Sequence, residues 1–348
     1  MRAVVVQAAG RFAVCDVATP APGRGQALVR VKASTVCGTD QKIFAGQFPG
    51  TRFPHIPGHE FAGEVVELGE GVDDVRPGDR VGVEVHVGCG RCARCLEGLY
   101  QLCLNYGRAE KGHAHIGFTV PGGLAEYAAI DVRALHPLPE QLTWDEGAFC
   151  DNVGVALYAV ERGQLRAGER VAVIGAGAFG ALAAQVARAS GAARVVLVGT
   201  RAERLQRLAG LADSVVVASG ETAVGQTREA LGGDGADLVI EFAGTSEAAR
   251  QAILLARRGG RVVLAGSTGP GRELSAVDLS TIVRGHLDIY GSLANPRGIS
   301  RRGLELIARR AVDVRPLITH CFALDDFAEA WATFVERRDG AIRVMLHP

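Results

Sequence analysis

The sequence lacks an excess of charge of either sign and any long apolar run. Lys and Arg together number 38, and so do Asp and Glu, so the formal net charge is zero. This balance disfavours a nucleic-acid-binding protein, which usually carries a basic excess. No apolar run reaches the roughly 18 residues of a membrane span. The opening segment MRAVVVQAAGRFAV does not match a signal peptide, because Gln7 and Arg11 interrupt its short apolar run. We therefore expect a soluble, cytoplasmic protein with neither nucleic-acid nor membrane partners.

Cysteine is also scarce, but its distribution is uneven. Eight cysteines in 348 residues are too few for a disulfide scaffold. Four of them fall within 15 residues, namely Cys89, Cys92, Cys95 and Cys103. Their C-x2-C-x2-C-x7-C spacing favours a tetrahedral zinc site over the bacterial iron–sulfur pattern, whose last gap is shorter and is followed by Pro. Because the protein supplies all four ligands, we expect this lobe, at about residues 88–104, to be structural.

Length and hydrophobic pattern predict an α/β protein of about two domains. Up to about residue 150, short alternating stretches (26–32, 61–68, 80–87) separated by Gly, Pro and Asp favour an antiparallel barrel or sandwich. Beyond that point, buried-strand runs (171–174, 195–198, 237–242, 261–266) alternate with helical segments, which favours a doubly wound parallel sheet. Helices are predicted over 181–190, 202–211, 303–310 and 326–337, and a closing strand over 342–346.

A glycine-rich turn follows the predicted strand 171–174 and opens the first of these helices. Gly175 permits a tight turn, Gly177 lets a pyrophosphate approach the backbone, and Gly180 allows close packing of helix on strand. The helix N-terminus then offers N–H groups to the phosphates. The strand before the turn and the helix after it favour dinucleotide binding over an incidental glycine-rich turn. The predicted binding residues are Gly175, Gly177, Ala178, Phe179 and Gly180.

The end of the next predicted strand bears on which dinucleotide is bound. NAD-binding domains usually place Asp or Glu there, where it accepts hydrogen bonds from the ribose. This sequence has Gly199, Thr200 and Arg201 instead, with Arg204 one helical turn further on. Arginine can form charge-assisted hydrogen bonds with the 2′-phosphate of NADP. We therefore expect Thr200, Arg201 and Arg204 to bind the cofactor and to favour NADP over NAD. The alternative is that both arginines are solvated on a surface helix.

Further candidate metal ligands are dispersed along the first half of the chain. Cys37 lies in CGTD, His59 and Glu60 lie in GHE, and Asp151 lies where the β-rich region ends. A catalytic zinc needs about three protein ligands and one open position. Spacing alone does not assemble these residues. Cys37 can equally be a small core residue, His59 a turn residue and Asp151 a helix N-cap.

The ordered set of CGTD, GHE, the four-cysteine lobe and GAGAFG resembles the zinc-containing medium-chain alcohol dehydrogenases over essentially the whole chain. The sorbitol and threonine dehydrogenase-like branch is the most similar in style. The resemblance implies a GroES-like catalytic domain, built from residues 1–152 and 295–348, around a Rossmann domain at 153–294. It also implies that Cys37, His59 and Asp151 bind a catalytic zinc, with Glu60 beside it as a supporting or exchangeable ligand. Thr39 would relay the substrate proton, the alternative being a hydroxyl that caps a turn.

Some positions depart from the family or keep two interpretations open. Arg343 matches an arginine that contacts the cofactor pyrophosphate, but it can equally form a salt bridge on a strand. Lys42 stands where many relatives have a relay histidine, and it can instead contact a cofactor phosphate or lie at the surface. Cys150 rivals Asp151 as a zinc ligand. Two further residues, His113 and His115, either line the substrate entrance or are solvated loop histidines.

The resemblance therefore implies a zinc- and nicotinamide-dependent dehydrogenase of a secondary alcohol, which we expect to be a polyol, sugar or cyclitol. One alternative is a threonine-type amino-alcohol dehydrogenase. Another is a non-catalytic zinc protein that only binds a dinucleotide, which the complete ligand set disfavours. The expected cofactors are two zinc ions per chain and NADP, or alternatively NAD. Strand 287–293 resembles the edge strand through which these enzymes pair, so a homodimer or homotetramer is expected.

Overall fold

The computed structural model describes residues 1–266, 272–274 and 276–348. Its strands are, in chain order, β1 (Arg2–Ala8), β2 (Arg11–Asp16), β3 (Gln26–Thr35), β4 (Phe61–Leu68), β5 (Arg80–Val83), β6 (His86–Val87), β7 (Ala114–His115), β8 (Tyr127–Asp131), β9 (Leu135–Pro137), β10 (Arg170–Ile174), β11 (Arg194–Gly199), β12 (Ser214–Val217), β13 (Ala236–Glu241), β14 (Ala256–Leu264), β15 (Asp288–Gly291), β16 (Ile318–Ala323) and β17 (Arg343–His347). Its α-helices are α1 (Asp40–Phe44), α2 (Ala93–Leu96), α3 (Trp144–Gly147), α4 (Cys150–Arg162), α5 (Ala178–Ala189), α6 (Ala202–Leu208), α7 (Gly220–Leu231), α8 (Ser246–Leu255), α9 (Leu279–Gly285), α10 (Ile299–Ala308) and α11 (Phe327–Glu336). Within these described ranges, every helix is too short or too polar to cross a membrane.

The chain divides into two compact units. The first comprises Met1–Gly154, Asn295–Ala308 and Ile318–Pro348, and the second comprises Val155–Ala294 and Arg309–Leu317. The last of these segments differs from the boundary predicted at residue 295, because residues 309–317 lie with the second unit. Hydrogen bonds from α5 explain this placement. The Gln185 side chain donates to the Asp313 carbonyl at 3.0 Å and accepts from the Asp313 N–H at 2.7 Å.

A mostly antiparallel sheet of seven strands, ordered β16-β17-β3-β4-β5-β9 with β8 also paired to β3, organises the first unit. The predicted stretches 26–32 and 61–68 both form strands, but β3 continues to Thr35. The last residues of β3 pair with Met345 and Leu346 of β17. The predicted closing strand therefore joins this sheet beside β3. The core under this sheet is largely β-branched and aromatic and includes Val29, Val31, Phe61, Val65 and Val81.

The stretch 80–87, predicted as one strand, is two strands in the structure. β5 pairs with β9, whereas β6 pairs with β7. Between them the Glu84 N–H donates to the Ala134 carbonyl at 2.9 Å, and the Val85 N–H donates to the Asp151 carboxylate at 3.2 Å. The chain therefore changes its hydrogen-bonding partners at this point, although polar and apolar residues alternate in its sequence as in a single strand.

The second unit is a parallel sheet of six strands in the order β12-β11-β10-β13-β14-β15, with helices between successive strands. This is the strand order of the dinucleotide-binding Rossmann fold, and it confirms the predicted doubly wound α/β class. Its strands are apolar along their length because helices cover both faces of such sheets. The central strands show this pattern, with Val171–Val173 and Val195–Val198 all buried.

Candidate zinc and nucleotide sites

A tight turn after β3 positions the Cys37 thiol. The Cys37 N–H donates to the Asp40 carboxylate at 2.8 Å, and the Asp40 N–H donates to the Cys37 carbonyl at 3.1 Å. Asp40 is fully buried at the start of α1. Within this turn, the Thr39 hydroxyl lies 3.2 Å from the Cys37 sulfur and 3.4 Å from Nε2 of His59. The CGTD motif therefore places a thiol, a hydroxyl and a carboxylate around one point.

A glycine sets the path of the second motif into β4. Gly58 has a φ of +97°, and a Cβ at this position would lie 2.5 Å from the Leu124 nitrogen. Only glycine avoids both the strain and the clash. The next residue, His59, is buried with Nδ1 at 3.4 Å from the Asp40 carboxylate and Nε2 at 3.7 Å from the Glu60 carboxylate. A carboxylate behind one ring nitrogen is the usual way to orient a metal-binding histidine.

Cys37, His59 and Glu60 form a group that can hold a metal ion. One ligand atom from each lies within 4.8 Å of the others, and all three residues are buried. Sulfur, imidazole nitrogen and carboxylate oxygen together suit zinc. Burial lowers the pKa of His59, but Asp40 and Cys37 outweigh that effect and raise it well above its ordinary value. The surroundings of His59 thus favour a positive charge, as a cation site requires.

Glu60 is held by Arg343 and by two groups that the sequence analysis did not identify, Thr35 and Asn152. Its carboxylate accepts a hydrogen bond from the Asn152 amide at 2.6 Å and another from the Thr35 hydroxyl, and it lies 3.0 Å from the Arg343 guanidinium. Burial raises the pKa of Glu60, but Arg343 and His59 outweigh it, so the pKa is lowered. Neither Thr35 nor Asn152 lies in a motif, and only their adjacency to a predicted strand end and to Asp151 distinguishes them.

Arg343 lies in β17 and is 3% exposed. Besides the ion pair with Glu60, its guanidinium donates to the Val36 carbonyl at 3.2 Å. The sequence left two interpretations of Arg343 open, a salt bridge on a strand and a contact with the cofactor pyrophosphate. The structure shows the salt bridge. The pyrophosphate contact stays a prediction.

Asp151 does not belong to the group whose ligand atoms lie within 4.8 Å of one another. Its carboxylate accepts hydrogen bonds from the Val85 N–H at 3.2 Å and the Asn295 amide at 3.1 Å. Burial, with Glu60 and Glu84 nearby, raises its pKa to about 7, although His59 opposes the shift. Its neighbour Cys150 is fully buried, and burial raises its pKa well above the ordinary value. A ligand role for either residue stays a prediction.

The four cysteines of the lobe converge as their spacing predicts. Their sulfur atoms all lie within 4.8 Å of one another. N–H groups point at them, with Leu104 donating to Cys92 at 3.4 Å and the Asn105 side chain donating to Cys89 at 3.3 Å. Hydrogen bonds from Arg91 and Asn105 lower the pKa of Cys89, whereas burial raises the pKa of Cys95. Four sulfur ligands with no further open position fit a structural zinc.

The glycine-rich turn in the second unit has the predicted construction. Gly175 has a φ of +115°, and a Cβ on Gly180 would lie 1.9 Å from the Gly175 carbonyl oxygen. A Cβ on Gly177 would meet nothing within 4 Å, so its backbone is open to an approaching phosphate. Helix α5 begins at Ala178, earlier than the predicted 181, so the N–H groups of Ala178 and Phe179 lie in its first turn.

The residues proposed to select the cofactor lie between β11 and the first turn of α6. Thr200 and Arg201 are exposed, Arg201 precedes α6, and Arg204 is half-buried in the first turn of that helix. A carboxylate, Glu203, also lies in that turn and is exposed. Positions 199–201 carry none.

The remaining candidates are His113, His115 and Lys42, and the structure shows how far each is buried. His113 and His115 are buried, so the solvated-loop interpretation is wrong for both. The cause is packing against Tyr106 and Phe118, whose rings lie 4.7 Å from His113 and 3.9 Å from His115, respectively. Lys42 is half-buried within α1.

Comparison with known proteins gives these sites a family. A model of the alcohol dehydrogenase GroES-like domain matches residues 23–140, and one of the zinc-binding dehydrogenases matches residues 178–309. The chain is 31% identical to an L-threonine 3-dehydrogenase of Coxiella burnetii, over 93% of each chain. The chain belongs to the zinc-containing medium-chain alcohol dehydrogenases. Membership confirms the predicted family, the GroES-like and Rossmann folds, and a zinc-dependent dehydrogenase activity.

Two further members of the family show its range. A sorbitol dehydrogenase of Halalkalibacterium halodurans is 30% identical over 97% of this chain and 96% of its own. A solved structure from Sinorhizobium meliloti 1021, described as a zinc-binding dehydrogenase bound to NADP, superposes with a TM-score of 0.90 at 32% identity, covering 100% of this chain and 99% of that one. Relatives that are about equally similar to this chain are therefore named for different substrates, L-threonine and sorbitol.

Proposed function

We propose that the protein oxidises a secondary alcohol of the polyol, sugar or cyclitol class to a ketone, with NADP as the hydride acceptor and two zinc ions per chain. The observation that carries the proposal is the buried Cys37, His59 and Glu60 group with the Thr39 hydroxyl beside it. A second candidate is a threonine dehydrogenase, which the similarity to the Coxiella burnetii enzyme favours.

In this proposal, Cys37 and His59 hold the catalytic zinc, and Glu60 or Asp151 completes the set. Zinc, when bound, acts as a Lewis acid that polarises the substrate oxygen and makes its proton easier to remove. Thr39 is the residue placed to take that proton, because its hydroxyl lies against both Cys37 and His59. The Asp40 carboxylate, 3.4 Å from the opposite ring nitrogen, is the group placed to orient His59.

The cofactor preference rests on the residues that follow β11. Thr200 and Arg201 offer a hydroxyl and an exposed cation at the point where NAD-binding domains usually carry a carboxylate. A 2′-phosphate there would gain charge-assisted hydrogen bonds. We therefore propose that Arg201 selects NADP, with Thr200 and Arg204 supporting it, and that Gly175, Gly177, Ala178, Phe179 and Gly180 receive the pyrophosphate.

We further propose that the protein forms a homodimer or homotetramer through β15. This strand lies at the end of the described six-stranded order, and it pairs with β14 alone in that order. Apolar side chains on and beside it are exposed, with Ile289 at 37% and Leu293 at 59%. An apolar sheet edge of this kind favours pairing with a second copy. Light scattering on the purified protein tests the assembly, and a monomer at micromolar concentration would contradict it.

The test of the reaction is a set of initial rates of nicotinamide reduction on protein with a measured zinc content. The substrates are polyols, cyclitols, L-threonine and simple secondary alcohols, each with NAD and with NADP. We expect turnover of polyols or cyclitols, faster with NADP. Turnover of L-threonine alone would replace the proposed substrate class with the second candidate. A preference for NAD would overturn the role of Arg201 and leave the dehydrogenase assignment standing.

A further inference from the structure

A cluster of three buried histidines lies in the first unit, and the proposed function assigns no role to any of them. We call it the imidazole cluster: His86, His113 and His115. β6 and β7 form an antiparallel pair in which His86 lies opposite His115, and their rings stack at 4.1 Å. The His113 ring lies 6.2 Å from that of His86. Cross-strand pairing therefore accounts for the stack, and the chain just before β7 adds the third ring.

The imidazole cluster adjoins the candidate zinc ligands. The Phe118 ring packs on both, at 3.9 Å from the His115 ring and 4.6 Å from the His59 ring. Val85, which directly precedes His86, donates its N–H to Asp151. One aromatic ring thus separates the imidazole cluster from a ligand of the proposed catalytic zinc.

Two nitrogen atoms of the imidazole cluster have no hydrogen-bond partner among the described residues. They are Nδ1 of His86 and Nε2 of His113, in residues that are 5% and 1% exposed. The His113 tautomer follows from its surroundings. Its Nδ1 accepts a hydrogen bond from the Gly107 N–H at 3.1 Å, so in the neutral ring the proton is on Nε2. His113 therefore presents a buried N–H donor that lacks an acceptor, which is a costly arrangement unless a ligand supplies one.

The imidazole cluster is uncharged at neutral pH. Burial lowers the pKa of His86 to about 3 and that of His113 to about 4, and the like charges of neighbouring histidines add to the shift at His86. Burial likewise lowers the pKa of His115 well below its ordinary value. Tyr106, whose hydroxyl bonds to Nδ1 of His115, keeps its proton because burial raises its pKa to about 12. Neutral donors and acceptors match hydroxyl groups, whereas a carboxylate or an ammonium group requires an opposite charge.

Resting on the proposed function, we propose that His86 and His113 bind a hydroxyl group of the substrate other than the one that is oxidised. They thereby select an uncharged diol or polyol over a simple alcohol and over an amino acid such as L-threonine. A hydroxyl both donates and accepts hydrogen bonds, so it can accept from the His113 N–H and also pair with His86.

Three substrates of one carbon skeleton test this inference. 2-Butanol, 2,3-butanediol and L-threonine share a CH3–CHOH group and differ only in what is attached to it. We expect the wild-type protein to have a kcat/KM for 2,3-butanediol at least about tenfold above that for 2-butanol and above that for L-threonine. We expect the His113→Met variant to lose about tenfold of the diol-to-alcohol ratio, the cost of one buried hydrogen bond.

His113→Gln is the matched variant, since a glutamine amide can return a donor close to the position of Nε2. Both variants lose the Nδ1 atom that accepts from the Gly107 N–H, and only glutamine returns an N–H donor, so a higher ratio in the glutamine variant reports the Nε2–H donor of His113. We expect the glutamine variant to keep the ratio within about threefold of the wild type. His320→Met, in β16 outside the imidazole cluster, serves as the control for loss of a histidine and leaves the ratio unchanged.

Three results would overturn the inference. A wild-type protein that turns over all three substrates without preferring the diol shows that the imidazole cluster does not select a hydroxyl, while the proposed function stands. Equal ratios in the methionine and glutamine variants assign His113 a structural role. Absence of turnover of any alcohol, from protein that holds two zinc ions per chain, removes the proposed function and this inference with it.

Discussion

Replacing Arg343 with methionine should leave a buried negative charge without its partner. Glu60 is fully buried, and the Arg343 guanidinium lies 3.0 Å from its carboxylate. Removing one member of such a pair usually costs about 3–5 kcal/mol. Because Asn152 and Thr35 still donate hydrogen bonds to Glu60, we expect a loss at the lower end, about 3 kcal/mol. For a unit of this size, that loss lowers the midpoint of thermal unfolding by about 6–12 °C.

Scanning calorimetry of zinc-loaded protein measures this change, with the zinc content of each variant checked by mass spectrometry. The matched control is Arg338→Met, since Arg338 pairs with Glu329 at 2.6 Å but at the surface. Exposed pairs contribute about 0–1 kcal/mol, so the control should shift the midpoint by less than about 4 °C. A double variant, Arg343→Met with Glu60→Gln, removes both charges and should regain about half of the loss. A double variant less stable than Arg343→Met alone would show that the loss does not come from the unpaired charge of Glu60.

Three other changes test the remaining sites. Arg201→Asp should lower the ratio of kcat/KM for NADP over NAD by about ten- to hundredfold, because it replaces an attraction for the 2′-phosphate with a repulsion; an unchanged ratio in steady-state kinetics would show that Arg201 is only a surface residue. Thr39→Ala should lower kcat by about 100-fold, and Thr39→Ser should restore most of it, whereas failure of serine to do so would assign the methyl group, and not the hydroxyl, the main role. Cys95→Ser should reduce the zinc content from two ions to one per chain and lower the unfolding temperature. Retention of both ions in elemental analysis would contradict a four-sulfur site.

Local patterns were enough to predict the parts of the fold that depend on neighbouring residues. The turn at Gly175 and Gly180 lies between a buried strand and a helix. Gly175 is required by its positive φ of +115° and Gly180 by its close approach to the Gly175 carbonyl oxygen, so both requirements arise within that turn. The cysteines of the lobe also converge within one short segment. In each case the interacting groups lie close together in sequence, so spacing carries the geometry.

Contacts between distant segments could not be predicted in this way. Glu60 is held by Thr35, Asn152 and Arg343, which belong to β3, α4 and β17, and only the folded sheet brings these elements together. The break between β5 and β6 has the same origin. Its alternating side chains suit one strand, and the interruption comes from Asp151, which accepts the Val85 N–H. Alternation of polar and apolar residues indicates the face of a strand on which each side chain lies. It does not indicate which strand the backbone pairs with.

The buried region around Cys37 gathers several charged side chains. Asp40, Glu60 and Asp151 bring three carboxyl groups into one buried region, where the positive charges near them are the permanent one of Arg343 and that of His59 when it is protonated. Leaving an excess of negative charge in the interior is expensive, and buried charges are therefore paired or bound to metal. A divalent cation held by Cys37 and His59 would offset that excess, and it would also favour the ionised form of Asp151, whose pKa burial raises to about 7. The sequence contains the ligand types, but only the packing of β3, β4, α4 and β17 shows that three buried carboxyl groups gather beside them.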